Sequence, residues 1–173
     1  MPALISWWRQ DLADLIPSAL DDAVQAAGTD LLRRWAEPQR HYHRTTHLVE
    51  LFWALEELED GDDLDPRDAL LGRVAGWFHD AVYLPLAAAG ANEADSARLA
   101  VSTLGDLGAD ADDTSRIERL VHLSATHDGD ALTPLDRAFL DADLWILSAD
   151  PDRFDDYCEQ VRQEYAAVPD AAY

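Results

Sequence analysis

Lysine is absent from this chain of 173 residues, so all 13 of its basic residues are arginines. They stand against 35 acidic residues and leave a formal net charge of −22. A surface this acidic does not favour binding to nucleic acid or to an anionic membrane, because both need a basic face. We therefore expect neither as a partner. An anionic substrate would need a local cationic patch or a bound cation.

Cysteine is nearly absent too, since Cys158 is the only one in the chain. A single cysteine excludes an internal disulfide framework and any zinc site built from several thiolates. No apolar run is long enough to cross a membrane. The stretch 1–12 lacks the basic segment and the small-residue cleavage site of a signal peptide. We therefore expect a cytoplasmic protein.

Alternating β-type runs are also absent, whereas apolar residues recur at intervals of three and four along most of the chain. That spacing is typical of amphipathic helices packed on a common core. The length suits one domain with a substantial core. The sequence therefore predicts an all-α fold, a single compact helical domain over residues 1–173 with about seven to eight helices.

Several helix starts can be predicted from capping residues. Asp65, Thr133 and Asp150 each stand directly before a proline, which is the pattern of a cap followed by a proline at the first helical position. Ser18 followed by Asp21 resembles a capping box. Each of these sites is expected to open a helix.

Side chains of the type that ligate metals occur in four pairs, each within or beside an apolar helical pattern. The pairs are His43 with His47, His79 with Asp80, His122 with His127, and Asp141 with Asp143. The pair His79-Asp80 closes an apolar run typical of a buried helix, where unpaired charge is costly. A divalent metal is the simplest reason for its presence, because imidazole nitrogen and carboxylate oxygen are common ligands of first-row transition metals.

Four motifs follow one another in a fixed order along the chain. They are RHYHRTTH at 40–47, WFHDAVY at 77–83, NEADSA at 92–97 and FLDADLWIL at 139–147. Together they resemble the motifs RxYHxxxH, FHDxVY, NExxSA and FLDADLxIL of a bacterial branch of the His-Asp (HD) superfamily of metal-dependent phosphohydrolases. The resemblance spans residues 40–147. It implies an HD-domain helical bundle and the hydrolysis of a phosphoester by metal-activated water.

The same resemblance implies the metal ligands, which are His47, His79, Asp80 and Asp143. His43, Asp141 and His122 remain open as further or alternative members of the site. Two histidines with two carboxylates suit several divalent transition metals, namely Mn, Fe, Co, Ni and Zn. A second metal, or Mg, is left open as well.

The catalytic groups follow from the resemblance with one departure. Asp80 would both ligate the metal and take a proton from the attacking water. Many members of the superfamily carry an acid shortly after the His-Asp doublet, but residues 81–83 contain none. Glu93 is the natural substitute, although an acid in the first turn of a helix is also favoured by the helix dipole. His127, expected at the end of the sixth helix, would contact the metal or the phosphate.

The expected substrate is a small phosphorylated, nucleotide-like metabolite. Arg40 and Arg44 flank the first histidines and predict a cationic patch, because the planar fork of arginine suits phosphate. With His43 they form the expected substrate-binding group. The alternative is a non-catalytic helical module in which a bound metal or nucleotide regulates a partner. The apolar face of the last segment, 161–173, could be covered by a second subunit, which leaves a homo-oligomer open.

Overall fold

The computed structural model describes residues 2–61, 64–128 and 132–169. Within these ranges the chain is all-α and contains no strand, which confirms the predicted fold class. Eight α-helices and one 3-10 helix follow in the order α1 Pro2–Leu15, α2 Asp21–Arg34, α3 Thr45–Asp60, α4 Pro66–His79, α5 Ala91–Leu107, α6 Ala111–Leu123, α7 Pro134–Asp143, the 3-10 helix Trp145–Ser148 and α8 Pro151–Glu164. None of the described helices combines the length and the apolar character needed to span a membrane.

Helix α4 forms the centre of the fold. Ten of its 14 residues are buried, so it is apolar on every side rather than on one stripe. Helices α1, α3, α5, α6 and α7 all pack against it. Trp8 of α1 contacts Trp77 and Phe78 edge to face, at centroid distances of 5.5 and 5.9 Å. The last residue of α4, His79, therefore lies inside the molecule.

Two helix starts match the predicted caps in detail. The Asp65 side chain accepts a hydrogen bond from the backbone N–H of Arg67, and a proline follows it at the start of α4. Thr133 and Asp136 form a reciprocal capping box at the start of α7. Asp150 also precedes its helix directly, although its side chain makes no capping bond. In these helices the local sequence alone determines where the helix begins.

The predicted capping box at Ser18 and Asp21 is wrong. Helix α2 begins after Leu20, and no side chain caps it. Helix α3 likewise begins after Arg44 without a side-chain cap. Helix α5 begins after Gly90, whose φ of 75° lies in the left-handed region that favours glycine. None of these three starts depends on a capping side chain.

Helix α8 is attached to the rest of the fold mainly through polar contacts. Glu164 is its only buried residue. Near its start, Arg153 donates two hydrogen bonds of 2.7 Å to the carboxylate of Glu50 on α3. Glu164 bonds the loop before α3 at the other end of the helix. Residues 170–173, and with them part of the face expected to meet a second subunit, lie outside the described residues.

Close packing between α1 and α2 gives a test of the core. A Cβ atom at Gly28 would lie 2.3 Å from Trp8 Cδ1 and 2.7 Å from Ile5 Cδ1. Trp8 is fully buried, and its Nε1 donates a 2.7 Å hydrogen bond to Val24 O, so it has little room to move. We expect Gly28→Ala to lower the free energy of unfolding by about 1–3 kcal/mol, measured by urea denaturation.

Gly105→Ala is the matched control for this substitution. Gly105 is also helical, but nothing lies within 4 Å of the position its Cβ would take. Because alanine favours helix over glycine, this variant should be unchanged or more stable by up to about 1 kcal/mol. A similar loss of stability in both variants would contradict the packing explanation.

Candidate metal centre

The four predicted ligands meet at the termini of three helices. His47 lies in the first turn of α3, His79 ends α4, Asp80 follows it directly, and Asp143 ends α7. His47, His79 and Asp80 are only 3%, 1% and 9% exposed, and the side chain of Asp143 is 10% exposed. The structure thus brings together four ionisable side chains from distant parts of the sequence in a place that excludes most solvent.

The ligand atoms of these residues converge on one point. The two Nε2 atoms of His47 and His79 are 3.2 Å apart. Asp143 Oδ1 lies 3.1 Å from His47 Nε2 and 3.3 Å from His79 Nε2. Asp80 Oδ2 lies 3.2 Å from His79 Nε2 and 4.0 Å from His47 Nε2. Ligands about 2.0–2.2 Å from one metal ion are separated by roughly 3–3.5 Å, so His47, His79 and Asp80 could hold one ion. Asp143 Oδ1 lies within that separation of both histidines.

The orientation of His79 is fixed by its other ring nitrogen. Nδ1 donates a 2.8 Å hydrogen bond to Gly76 O, one turn earlier in α4, which leaves Nε2 directed at the cluster. A second hydrogen bond of this kind is the usual way that proteins set the tautomer of a ligating histidine. Trp35 packs against the His79 ring at 5.4 Å, and Tyr42 packs against the His47 ring at 4.8 Å. Both rings are therefore held in place before any ligand arrives.

Opposite charges dominate the electrostatics of the cluster. Burial alone would lower the pKa of His79, but the carboxylates of Asp80 and Asp143 outweigh it and hold that pKa well above its ordinary value. Burial would raise the pKa of either carboxyl, yet the neighbouring histidines keep the pKa of Asp80 low and that of Asp143 well below its ordinary value. The raised pKa of His79 therefore favours a proton that offsets part of the negative charge of the two carboxylates. A metal ion would displace that proton on binding.

The two arginines expected to bind substrate lie outside the cavity. The Arg40 side chain is fully buried beneath the cluster. Its guanidinium donates to the backbone carbonyls of His43 at 3.0 Å, Asp80 at 2.8 Å and Ala81 at 3.2 Å. Arg44 is exposed and does not line the cavity. The prediction of a cationic patch is therefore corrected. Arg40 fixes the backbone turn that carries Asp80, because its guanidinium joins the carbonyls of Asp80 and Ala81 in that turn to the loop before α3.

A cavity of about 240 Å³ opens over the cluster. Besides the four ligands it is lined by Tyr42, His43, Tyr83, Asn92, Glu93, Ser124, His127, Leu144, Ile146, Leu147, Tyr157 and Tyr165. Neither arginine nor lysine is among these lining residues. The predicted groups His43, Glu93 and His127 do reach the cavity, and histidines are its only side chains that can become cationic.

His127 occupies a loop rather than the end of a helix. Helix α6 ends at Leu123, and His127 has a φ of 52°, which is unusual for a residue other than glycine. Its Nε2 lies 2.8 Å from Asp143 Oδ2, on the carboxylate oxygen that is not directed at the other histidines. The loop geometry therefore brings His127 to the edge of the cluster.

Two of the alternative ligands can now be set aside on geometry. His122 is exposed and does not line the cavity. Asp141 is exposed too, and it borders a separate hollow beside Trp145. His43 is the alternative that stays near the cluster, with its Nε2 3.9 Å from Asp80 Oδ2.

The residues of the NEADSA motif hold the loop that follows the His-Asp doublet. Asn92 accepts a hydrogen bond from Leu84 N–H at 3.0 Å and donates to Leu84 O at 3.1 Å. Ser96, one turn later in α5, accepts from Val82 N–H at 3.0 Å. Asn92 therefore bonds the backbone of this loop at Leu84 and does not cap helix α5. Glu93, beside it, lines the cavity.

Glu164 is a site residue that the sequence analysis missed. Its side chain is fully buried. Oε1 accepts hydrogen bonds from three consecutive backbone N–H groups, those of residues 41–43, at 2.7, 2.8 and 2.9 Å. Oε2 lies 2.7 Å from His43 Nδ1 and accepts from Tyr83 Oη at 2.9 Å. No local pattern identifies such a residue, because its partners are more than 80 positions away in the sequence.

Comparisons with protein-family models, with curated proteins and with solved structures found no match to this chain. The likeness to HD phosphohydrolases therefore depends on the four sequence motifs.

A larger cavity, about 350 Å³, lies between α1 and α3, where Trp7, Trp53 and Glu56 line it. Its lining includes no histidine, so the cavity over the His-Asp cluster is the better candidate for chemistry.

The charge of Glu164 gives a pH-dependent prediction. Burial would raise the pKa of this carboxyl, but the hydrogen bond and charge of His43 and the loop N–H groups lower it to about 2, from an ordinary value of 4.5. A carboxyl with a lowered folded-state pKa stabilises the folded protein above its unfolded pKa, and that stability is lost as the pH falls towards the folded value.

We therefore expect wild type to exceed Glu164→Gln in free energy of unfolding at about pH 5, where the carboxylate is charged and favours a protonated His43 ring beside it. The difference should shrink between about pH 4.5 and about pH 2, because the carboxyl is protonated there. Urea denaturation of the metal-free proteins at a series of pH values measures it. A difference that does not change with pH would show that the charge of Glu164 contributes nothing.

Proposed function

We propose that this chain is a divalent-metal-dependent phosphohydrolase of the HD type that acts on a small phosphorylated, nucleotide-like substrate. The observation that carries the proposal is the convergence of two imidazole nitrogens and two carboxylates, all nearly buried, at the bottom of a cavity. The order and spacing of the four motifs support the HD assignment.

The residues present fit a first-row divalent cation. His47, His79, Asp80 and Asp143 would hold it, since their donor atoms are of the right type and already lie about one ligand separation apart. Mn, Fe, Co, Ni and Zn all accept such a set. When bound, the ion lowers the pKa of water and neutralises phosphate oxygens, which permits phosphoester hydrolysis near neutral pH.

The remaining roles belong to side chains around the cluster. Glu93 lines the cavity from α5 and Asp80 borders it from the end of α4, so either carboxylate can accept the proton that the attacking water loses. His127, beside Asp143, stabilises the negative charge on the phosphoryl oxygens when it is protonated. Glu93 thus replaces the acid that residues 81–83 lack.

The charge of the cavity limits the size of the substrate. Its lining contains His43 and His127 but neither arginine nor lysine, and Glu93 adds a negative charge. One phosphate bound at the metal centre would have cationic partners there. A second or third phosphate would have none within the lining, and unpaired charge is costly to bury. We therefore favour a single-phosphate substrate such as a nucleoside monophosphate over triphosphates or alarmones.

The first experiment combines elemental analysis with a phosphatase screen. The purified wild type should contain about one transition metal per chain and should hydrolyse a phosphomonoester in a metal-dependent way. His79→Ala and Asp80→Ala should each lose most of the metal and lower kcat/KM by about 100-fold or more, because each removes a ligand of the centre.

His122→Ala is the matched control, since it removes an exposed histidine outside the cavity and should change neither metal content nor activity. Turnover that survives the loss of His79 together with Asp80 would overturn the proposal. Metal binding in wild type without turnover of any phosphoester would instead favour the regulatory module.

A second experiment tests the preference for one phosphate. With the same nucleoside, kcat/KM for the monophosphate should exceed that for the triphosphate by at least about tenfold. The reason is that leaving a charged group unpaired costs more than about 1.4 kcal/mol, which corresponds to tenfold in rate. A preference for the triphosphate would contradict the inference from the cavity charge, although it would leave the hydrolase proposal intact.

A further inference from the structure

His43 is held more firmly than a side chain that only lines a cavity. Its ring stacks on Tyr83 at a centroid distance of 4.3 Å and meets the edge of Tyr42 at 4.9 Å. Its Nδ1 lies 2.7 Å from Oε2 of the buried Glu164. Its Nε2 lies on the cavity side, 3.9 Å from Asp80 Oδ2. Three contacts thus fix both the plane and the direction of the ring.

Glu164 determines which protons the His43 ring carries. The same carboxylate accepts three backbone N–H bonds and the Tyr83 hydroxyl, so it acts only as an acceptor. Nδ1 of His43 must therefore carry a proton and donate it to Glu164. Nε2 is then the ring nitrogen that lies on the cavity side.

His43 lies beside the proposed metal ligands. Its Nε2 is 3.9 Å from Asp80 Oδ2, whereas the ligand atoms of the cluster lie 3.1–3.3 Å from one another in their closest pairs. Two other donors close to the cavity have partners within the protein. Arg40 binds backbone carbonyls and the Tyr83 hydroxyl binds Glu164. His43 Nε2 is thus placed to reach a substrate atom beside the centre.

We infer that His43 donates the proton taken up by the leaving-group oxygen, and that Glu164 positions His43 for this step; the inference rests on the proposed phosphohydrolase function. The oxygen of water forms a bond to phosphorus while the bond from phosphorus to the leaving oxygen breaks. The leaving oxygen keeps that electron pair and takes the proton of His43 Nε2, giving an alcohol. The attacking water loses its proton to a cavity carboxylate, and solvent later returns a proton to His43.

The test compares two esters that differ in their need for that proton. A nucleoside 5′-monophosphate expels a poor alkoxide leaving group, whereas 4-nitrophenyl phosphate expels a stable phenolate. In the metal-loaded enzyme, His43→Gln should lower kcat for the nucleotide by about 100-fold or more and for the nitrophenyl ester by less than about 10-fold. The metal content should remain that of wild type.

Glu164→Gln should show the same selectivity, with kcat for the nucleotide lowered by about 10-fold, because an amide removes the negative charge beside Nδ1. Glu50→Gln is the matched control, since it removes the carboxylate that binds Arg153 at the other end of α8 without touching His43. It should affect both esters equally. In metal-free protein labelled with ¹⁵N-histidine, the hydrogen-bonded Nδ1 proton of His43 should disappear in Glu164→Gln and persist in Glu50→Gln.

Four results would overturn the inference. They are an equal loss for both esters in His43→Gln, a loss of metal in that variant, identical behaviour of the two glutamate variants, or an Nδ1 proton signal that persists without Glu164. If the metal-loaded wild type hydrolyses neither ester nor any other phosphoester, the proposed function itself fails, and this inference fails with it. Turnover without leaving-group selectivity overturns the inference alone.

Discussion

The site depends on the balance of opposite charges in an interior that little solvent reaches. Two imidazole rings and two carboxylates lie with their polar atoms 3.1–3.3 Å apart in their closest pairs. Isolated, none of these charges would be tolerated there. Together they stabilise one another, and the raised pKa of His79 favours a proton on its ring as the counter-charge in the absence of an ion. Because a divalent cation can replace that proton, the same arrangement that allows the cluster to exist also equips it to bind metal.

The surrounding fold serves mainly to hold one turn of backbone. Helix α4 carries the His-Asp doublet into the interior because it is buried on all sides. In the turn after it, Arg40 donates to backbone carbonyls, while Asn92 and Ser96 accept from backbone N–H groups. Glu164 does the same for the loop that precedes His47. Two of the four motifs, RHYHRTTH and NEADSA, therefore contain both side chains that line the cavity and side chains that hold the turn.

Much of this could be predicted from the sequence because it depends on local pattern. Apolar spacing is enough for the helices, and Asp65 and Thr133 identify their helix starts. The four proposed ligands follow from the resemblance of the motifs to those of HD enzymes. Arg40 could not be assigned correctly, because a buried arginine bonded to carbonyls has the same sequence neighbours as one that binds phosphate. His127 depends on a loop conformation that helical periodicity does not predict. The role of Glu164 could not be predicted because its partners are backbone N–H groups 121–123 positions earlier.

The central claim is that the His-Asp cluster is a metal centre. A crystal structure of the metal-loaded protein, with anomalous diffraction recorded on both sides of the absorption edge of that metal, tests it most directly. The account predicts one strong anomalous peak at about 2.0–2.2 Å from Nε2 of His47 and His79 and from carboxylate oxygens of Asp80 and Asp143. No peak at the cluster, or full occupancy of a site elsewhere on the chain, would contradict it.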